Sequence, residues 1–154
     1  HVKAHRSAAG GKGEWTQAVG VSRGGRTTKI HCLADPCGRI VAVALTPGNI
    51  ADILAQPMLE AMTPTRRLIA DKAYDADRLR LWLNERGIEA VIPGRASRDV
   101  AYPLNRTAYR RRNIIERMFG RLKKLEAHRN TYDRLAVNYL AAIALVALAT
   151  QWLK

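Results

Sequence analysis

One carboxylate set among cations at helical spacing is the first feature of this chain able to do chemistry: Tyr109-Arg-Arg-Arg112-Asn-Ile-Ile-Glu116-Arg-Met-Phe-Gly-Arg-Leu-Lys123. With 3.6 residues per turn, Tyr109, Arg112, Glu116 and Lys123 are expected on one narrow face of a helix. Ile115, Met118, Phe119, Leu122 and Leu125 form an apolar stripe beside it, and Arg110, Arg117, Arg121 and Lys124 a basic one. Such a helix can pack on one side and meet an anion on another, with Glu116 held between. A lone Glu three or four residues from an Arg is ordinarily a surface ion-pair partner worth little. A second acid changes that balance.

The second acid is Asp71, in Arg66-Arg-Leu-Ile-Ala-Asp71-Lys-Ala-Tyr74-Asp75. The apolar run predicts a strand over 67–71 that ends on Asp71, and a helix over 76–86 follows, stopped by Gly87. The carboxyl end of a buried strand is where open α/β sheets place their chemistry. Asp75 and Asp77 read instead as turn or cap residues.

The spacing Tyr-x2-Arg-x3-Glu-x6-Lys resembles the block that carries the last acid of the DDE transposases of bacterial insertion sequences (insertion-sequence family five and family four type), and it matches at all four positions. Asp71-Lys-Ala-Tyr-Asp75 is similar to the block around their second catalytic Asp, with Ala73 where Gly is frequent. The likeness runs from His1 to about Asn138 and includes Ser22-Arg-Gly-Gly-Arg26, Thr28-Lys-Ile-His31 and Leu45-Thr-Pro-Gly-Asn49. It implies a ribonuclease H-like α/β fold, a mixed sheet flanked by helices, spanning residues 1–154 as one catalytic domain. It also implies Asp71 and Glu116 as catalytic and metal-binding acids for two Mg²⁺ or Mn²⁺ ions. Tyr109, Arg112, Lys123, Arg110, Arg117, Arg121 and Lys124 are then the expected DNA contacts, and double-stranded DNA, as element ends and target, the expected partner. Assembly as a homo-oligomer on that DNA and a place in the bacterial cytoplasm, at the nucleoid, follow from the same resemblance.

Two-metal phosphoryl transfer wants oxygen ligands around ions about 3.5–4 Å apart, which calls for a third acid. In the resembled family that Asp precedes a block like His1-Val-Lys-Ala-His5-Arg-Ser-Ala-Ala-Gly10. The chain is therefore expected to open just after the first Asp, within an incomplete first strand, and to lack the upstream DNA-binding segment. Asp35, in an Asp-Pro-Cys-Gly turn, and Asp52, in the first turn of a helix, read as structural.

Charge gives independent support for a polyanionic partner. Lys and Arg number 26 against 13 acids, a net +13 over 154 residues, which favours phosphate-rich partners. The same balance suits a nucleic-acid-binding module without catalysis, a decayed transposase fragment, or a nuclease of the same fold. The acid pair separates the first two from an enzyme, because a carboxylate repels phosphate unless a metal intervenes. The longest unbroken apolar run, Tyr139 to Ala149, is too short to span a bilayer. Cys32 and Cys37 with His31 do not complete the four ligands of a closed zinc site.

The remaining elements are expected as strands 17–21, 27–34 and 39–46, with Asp35-Pro-Cys-Gly38 as an antiparallel hairpin turn. A helix capped by Asn49 is expected through Met62, then strand 88–92, helix 107–125 and helix 134–153. Gly94 to Asn105 is the one loop long enough to be mobile. Binding to duplex DNA should weaken steeply with salt, and replacing Arg117, Arg121 and Lys124 together should lower affinity alike for all sequences. A salt titration checks this: the slope of log K on log [salt] should become shallower by about 0.9 for each phosphate no longer neutralised.

Overall fold

The computed structural model describes residues 2–3, 18, 20–22, 25–99, 101–126 and 136–148. The longest pairing is a hairpin of β3 (Gly25–Ala34) and β4 (Ile40–Pro47), antiparallel from Thr28 opposite Pro47 to Leu33 opposite Ala42, with the register shifting before Ala34. Asp35 builds its turn. One carboxylate oxygen accepts the backbone N–H groups of Cys37 and Arg39 at 2.9 Å each, and the other meets the Arg39 guanidinium at 2.7 Å. Desolvation pushes this carboxyl upward, but those bonds outweigh it and hold it below its ordinary range. Both oxygens are thus engaged in the turn, as a structural Asp35 requires. Two short strands complete this sheet on β3: β1 (Val2–Lys3) against Thr28 and Thr27, and β2 (Gly20–Ser22) against Thr27 to Gly25.

Strand alternation assigns β3 two faces. Ile30 and Cys32 point to a layer of α3 (Asn113–Glu126) and α4 (Ala136–Ala147), where Met118, Ile143, Ala147 and Ile40 form one core cluster. Leu33 points the other way, into a second cluster with Leu59, Leu79, Leu83 and Ile92. That second layer contains α1 (Asp77–Glu85) and a two-stranded parallel sheet of β5 (Arg67–Ile69) and β6 (Glu89–Val91). Among the described residues no strand pairing joins the parallel sheet to the antiparallel one. The apolar cluster and a few polar ties connect them instead.

Leu79 and Leu83, four apart on α1, are completely buried and anchor the helix on β5 and β6. Gly87 ends the helix with φ +65°, a conformation that favours glycine. At the hairpin turn, Gly38 has φ +81°, and an added Cβ would sit 2.8 Å from the Ile114 side chain. This close approach seats α3 against the hairpin.

Several expectations need correction. The segment after Asn49 is a 3₁₀ helix, Asp52–Ala61, whose N-cap is Ala51, without a side-chain capping bond. Pro57 lies within it, and a proline has no N–H for an α ladder and clashes with the carbonyl four residues back. The strand before Asp71 ends at Ile69. The basic helix expected over 107–125 is in three parts: α2 (Arg106–Tyr109), a 3₁₀ turn Arg110–Arg112, and α3. The C-terminal helix is described as α4, and its expected continuation to 153 lies outside the described residues beyond Leu148.

A cavity test separates core from surface on one helix. Leu83→Ala should cost about 2–5 kcal/mol, whereas Leu81→Ala, whose side chain is exposed, should stay within about 0.5 kcal/mol. Urea unfolding of both variants measures the difference.

Candidate catalytic site

Asp71 lies two residues past the end of β5, where it caps the 3₁₀ turn Lys72–Tyr74: one carboxylate oxygen accepts the Ala73 N–H at 2.9 Å, and its backbone carbonyl accepts the Tyr74 N–H at 3.1 Å. The other oxygen is 3.6 Å from the Arg112 guanidinium. That same guanidinium donates to Glu116, one turn further along α3, at 2.6 Å. Two acids separated by 45 positions in sequence therefore meet on one arginine. Their side chains remain 41% and 60% exposed, so both are open to an ion or a substrate.

A 3₁₀ turn leads into this arrangement. It winds Arg110–Arg112 at three residues per turn instead of 3.6, so the four-residue register with Glu116 begins at Arg112. Tyr109, half-buried at the end of α2, stands three residues before Arg112, a separation that a 3₁₀ turn brings into line. Arg110, Arg117 and Arg121 are exposed. Lys123 and Lys124 lie on α3, but their side chains are outside the described residues.

Asp71, Arg112 and Glu116 border an open cleft of about 870 Å³. Its walls come from β3 with the hairpin turn, from β5, and from the start of α3, including Ile115 and Phe119. Cys32 lines it half-buried, and burial pushes its thiol up to about 12.

Behind Asp71 stands a polar network that sequence reading missed. Asp75 is completely buried and receives Arg80 Nε at 2.8 Å, Arg98 Nε at 3.0 Å and the Arg95 N–H at 2.8 Å. Burial alone raises its pKa. Against it, the Arg98 side chain, the Arg95 N–H and Arg80 hold the carboxyl at about 2. Arg95 donates further to the carbonyls of Lys72 and Ala73, at 3.3 and 2.8 Å. Arg98 also pairs with Asp77 at 2.7 Å, and Tyr102 lies under both Arg80 and Arg98 at 4.1 and 4.8 Å. Asp75 is thus no mere turn residue, and the segment from Gly94 to Asn105 is tied down at Arg95 and Arg98. The available signal was the density of arginines 5, 20 and 23 positions after Asp75, but it names no partner until the chain is folded.

Comparison with known proteins follows the same residues. A family described as Transposase DDE domain matches residues 1–152. The chain belongs to that family. A Brucella ovis protein named as a transposase for insertion sequence element IS6501 is 28% identical over 130 residues, covering 83% of this chain and 99% of the relative. A Burkholderia cepacia protein named as a transposase for insertion sequence element IS402 is 35% identical over 80 residues, 44% of this chain and 38% of that relative. No solved structure matches the chain significantly. Among the described residues of this DDE-family chain, no helix is long and apolar enough to cross a membrane.

Asp75 makes stability sensitive to acid. Its folded pKa, about 2, lies below the ordinary 3.8, so its contribution is complete above about pH 4 and is lost as pH falls through about 2. Asp75→Asn should flatten that part of the acid limb and cost about 3–5 kcal/mol at neutral pH by leaving buried arginine charge uncompensated. Thermal melts at a series of pH values measure both effects.

Proposed function

We propose that this chain is the catalytic domain of an insertion-sequence transposase, built on a ribonuclease H-like sheet and acting on double-stranded DNA by strand cleavage and strand transfer. The observation that carries the reading is the convergence of Asp71 and Glu116 on the Arg112 guanidinium at the mouth of one cleft. Membership of the DDE family supports it. So does the mixed α/β architecture, with an acid just past a parallel strand.

Asp71 and Glu116 offer carboxylate oxygens, the donors that Mg²⁺ and Mn²⁺ favour, and Mg²⁺ is commonly held by one or two carboxylates with substrate phosphate and water. The donor set fits these ions. Among the described residues no group of three His, Cys, Asp or Glu could hold a metal; the family resemblance is what assigns a third acid ahead of the His1 block. The register of β1 supports that assignment: with Val2 opposite Thr28 and the strands antiparallel, residues preceding His1 would run beside Ile30 and Cys32 on the cleft wall. The domain in this reading spans residues 1–154.

When bound, the divalent ions supply positive charge to the phosphate oxygens and lower the pKa of an attacking water. Asp71 and Glu116 would hold them from two sides of the cleft. Arg112, drawn to an incoming phosphate, would release the carboxylates for that role and grip the strand through its fork of donors. Arg110, Arg117, Arg121, Lys123 and Lys124 would hold the neighbouring backbone, and Tyr109 would pack or stack beside it. Water would break the P–O3′ bond at an element end and free a 3′-hydroxyl; that hydroxyl would attack a target phosphodiester and displace the target strand's own 3′-oxygen, which leaves as a hydroxyl. Assembly of more than one copy on the paired ends belongs to the same proposal.

The test compares this chain with one extended upstream through the expected Asp, on element-end DNA with Mg²⁺. The extended form should nick DNA, Glu116→Gln and Asp71→Asn should each lose about 10²-fold or more, and the short form should bind but scarcely cleave. Binding by the extended form without any cleavage is the result a purely DNA-binding module would give. Robust cleavage by the short form, abolished by Glu116→Ala, would place the third acid within residues 1–154.

A further inference from the structure

His31 is a buried polar residue that the catalytic reading leaves unused. It sits on the face of β3 opposite to Ile30 and Cys32, and its two ring nitrogens meet different elements. Nε2 is 2.7 Å from the hydroxyl of Thr46, its diagonal neighbour across the β3–β4 ladder. Nδ1 is 2.6 Å from the hydroxyl of Tyr74, and the two rings meet edge to face with centroids 6.1 Å apart. A neutral imidazole can donate through one nitrogen and accept through the other, and a hydroxyl can play either part. The chain Thr46–His31–Tyr74 is therefore satisfiable in either tautomer.

Its position gives it a function. Tyr74 closes the 3₁₀ turn that Asp71 caps, a turn of only three residues with little rigidity of its own. The ties from Arg95 to that turn are exposed at the guanidinium, whereas the His31 tie is partly buried, where hydrogen bonds are stronger. It also connects β3 to the segment after β5 across two sheets that share no described pairing. The Asp71 carboxylate thereby acquires a defined place relative to β3, the strand against which β1 pairs.

We propose that His31, through Tyr74, is a positioning residue for Asp71, fixing the direction of its carboxylate for divalent-ion binding. This rests on the reading of Asp71 and Glu116 as metal ligands. Outer groups that orient ligating carboxylates typically cost 10–100-fold in metal affinity when removed, and a clamp acting through a short turn belongs near the lower end of that range.

The experiment titrates the whole chain with Mn²⁺, following free ion by electron paramagnetic resonance, with a thermal melt of every variant. Tyr74→Phe, which deletes only the hydroxyl, should weaken Mn²⁺ binding about 10-fold, and His31→Gln combined with Tyr74→Phe should weaken it no more than the larger single effect. Thr46→Val, which loosens the imidazole from its other side, should give a smaller loss, and it decides the question in the same way if Tyr74→Phe fails to fold. Asp71→Asn must also weaken binding. If it does and the clamp variants lower the melting temperature with Mn²⁺ affinity untouched, His31 is a core staple and the proposal is overturned alone. If Asp71→Asn itself leaves Mn²⁺ affinity unchanged, the metal reading fails and the clamp falls with it.

Discussion

A buried carboxylate must be paired or it costs more than the fold can supply, and in this chain that constraint falls on Asp75. Its two oxygens gather Arg80 from α1 and Arg95 and Arg98 from the segment after β6. Three stretches of chain, the turn after β5, the helix and the following segment, are thus fixed to one point. Arg80 reaches beyond the acid to the carbonyl of Ile92 at 2.8 Å, closing the network on the end of β6. Without that charge pairing the segment before α2 would lose its ties to Asp75 at Arg95 and Arg98.

The electrostatics of the cleft follow from a chain strongly biased to positive charge. Carboxylates in such a field are readily paired, and Arg112 serves both Glu116 and Asp71. Half-exposed ion pairs of this kind contribute little to stability because water competes for both partners. In the function proposed, their significance lies in exchange: a partner that offers phosphate to the guanidinium and a cation to the carboxylates would replace the pair at small cost. A completely buried pair, as at Asp75, could not be exchanged in this way. Asp71 and Asp75, four positions apart in sequence, therefore have opposite tasks, set by burial.

Burial also divides the polar residues of β3. Alternation sends Cys32 toward the helical layer, where its thiol stays protonated, and His31 toward Thr46 and Tyr74. The zinc set considered from His31, Cys32 and Cys37 has no geometric basis here: Cys32 and His31 lie on opposite faces of the strand, and Cys37 is exposed in the turn.

The sequence by itself determined the hairpin around Asp35, helix α1 with its Gly87 stop, the strand before Asp71 and the i, i+4 relation of Arg112 to Glu116. Each of these depends on neighbours within a few residues, where propensity, periodicity and turn chemistry act. It also determined the family, through motifs around Asp71 and Glu116. Local pattern was misleading where backbone chemistry overrode apolar period, as at Pro57 in the 3₁₀ helix, and a 3₁₀ turn at Arg110–Arg112 interrupts the continuous helix that spacing suggested. Only tertiary structure decided that Asp75 is a buried hub, that His31 reaches Tyr74, and that Asp71 and Glu116 share one guanidinium. The physical reason is distance along the chain: these contacts join residues up to 43 positions apart, and nothing in local spacing encodes which distant arginine will meet which acid until the two layers pack on the sheet.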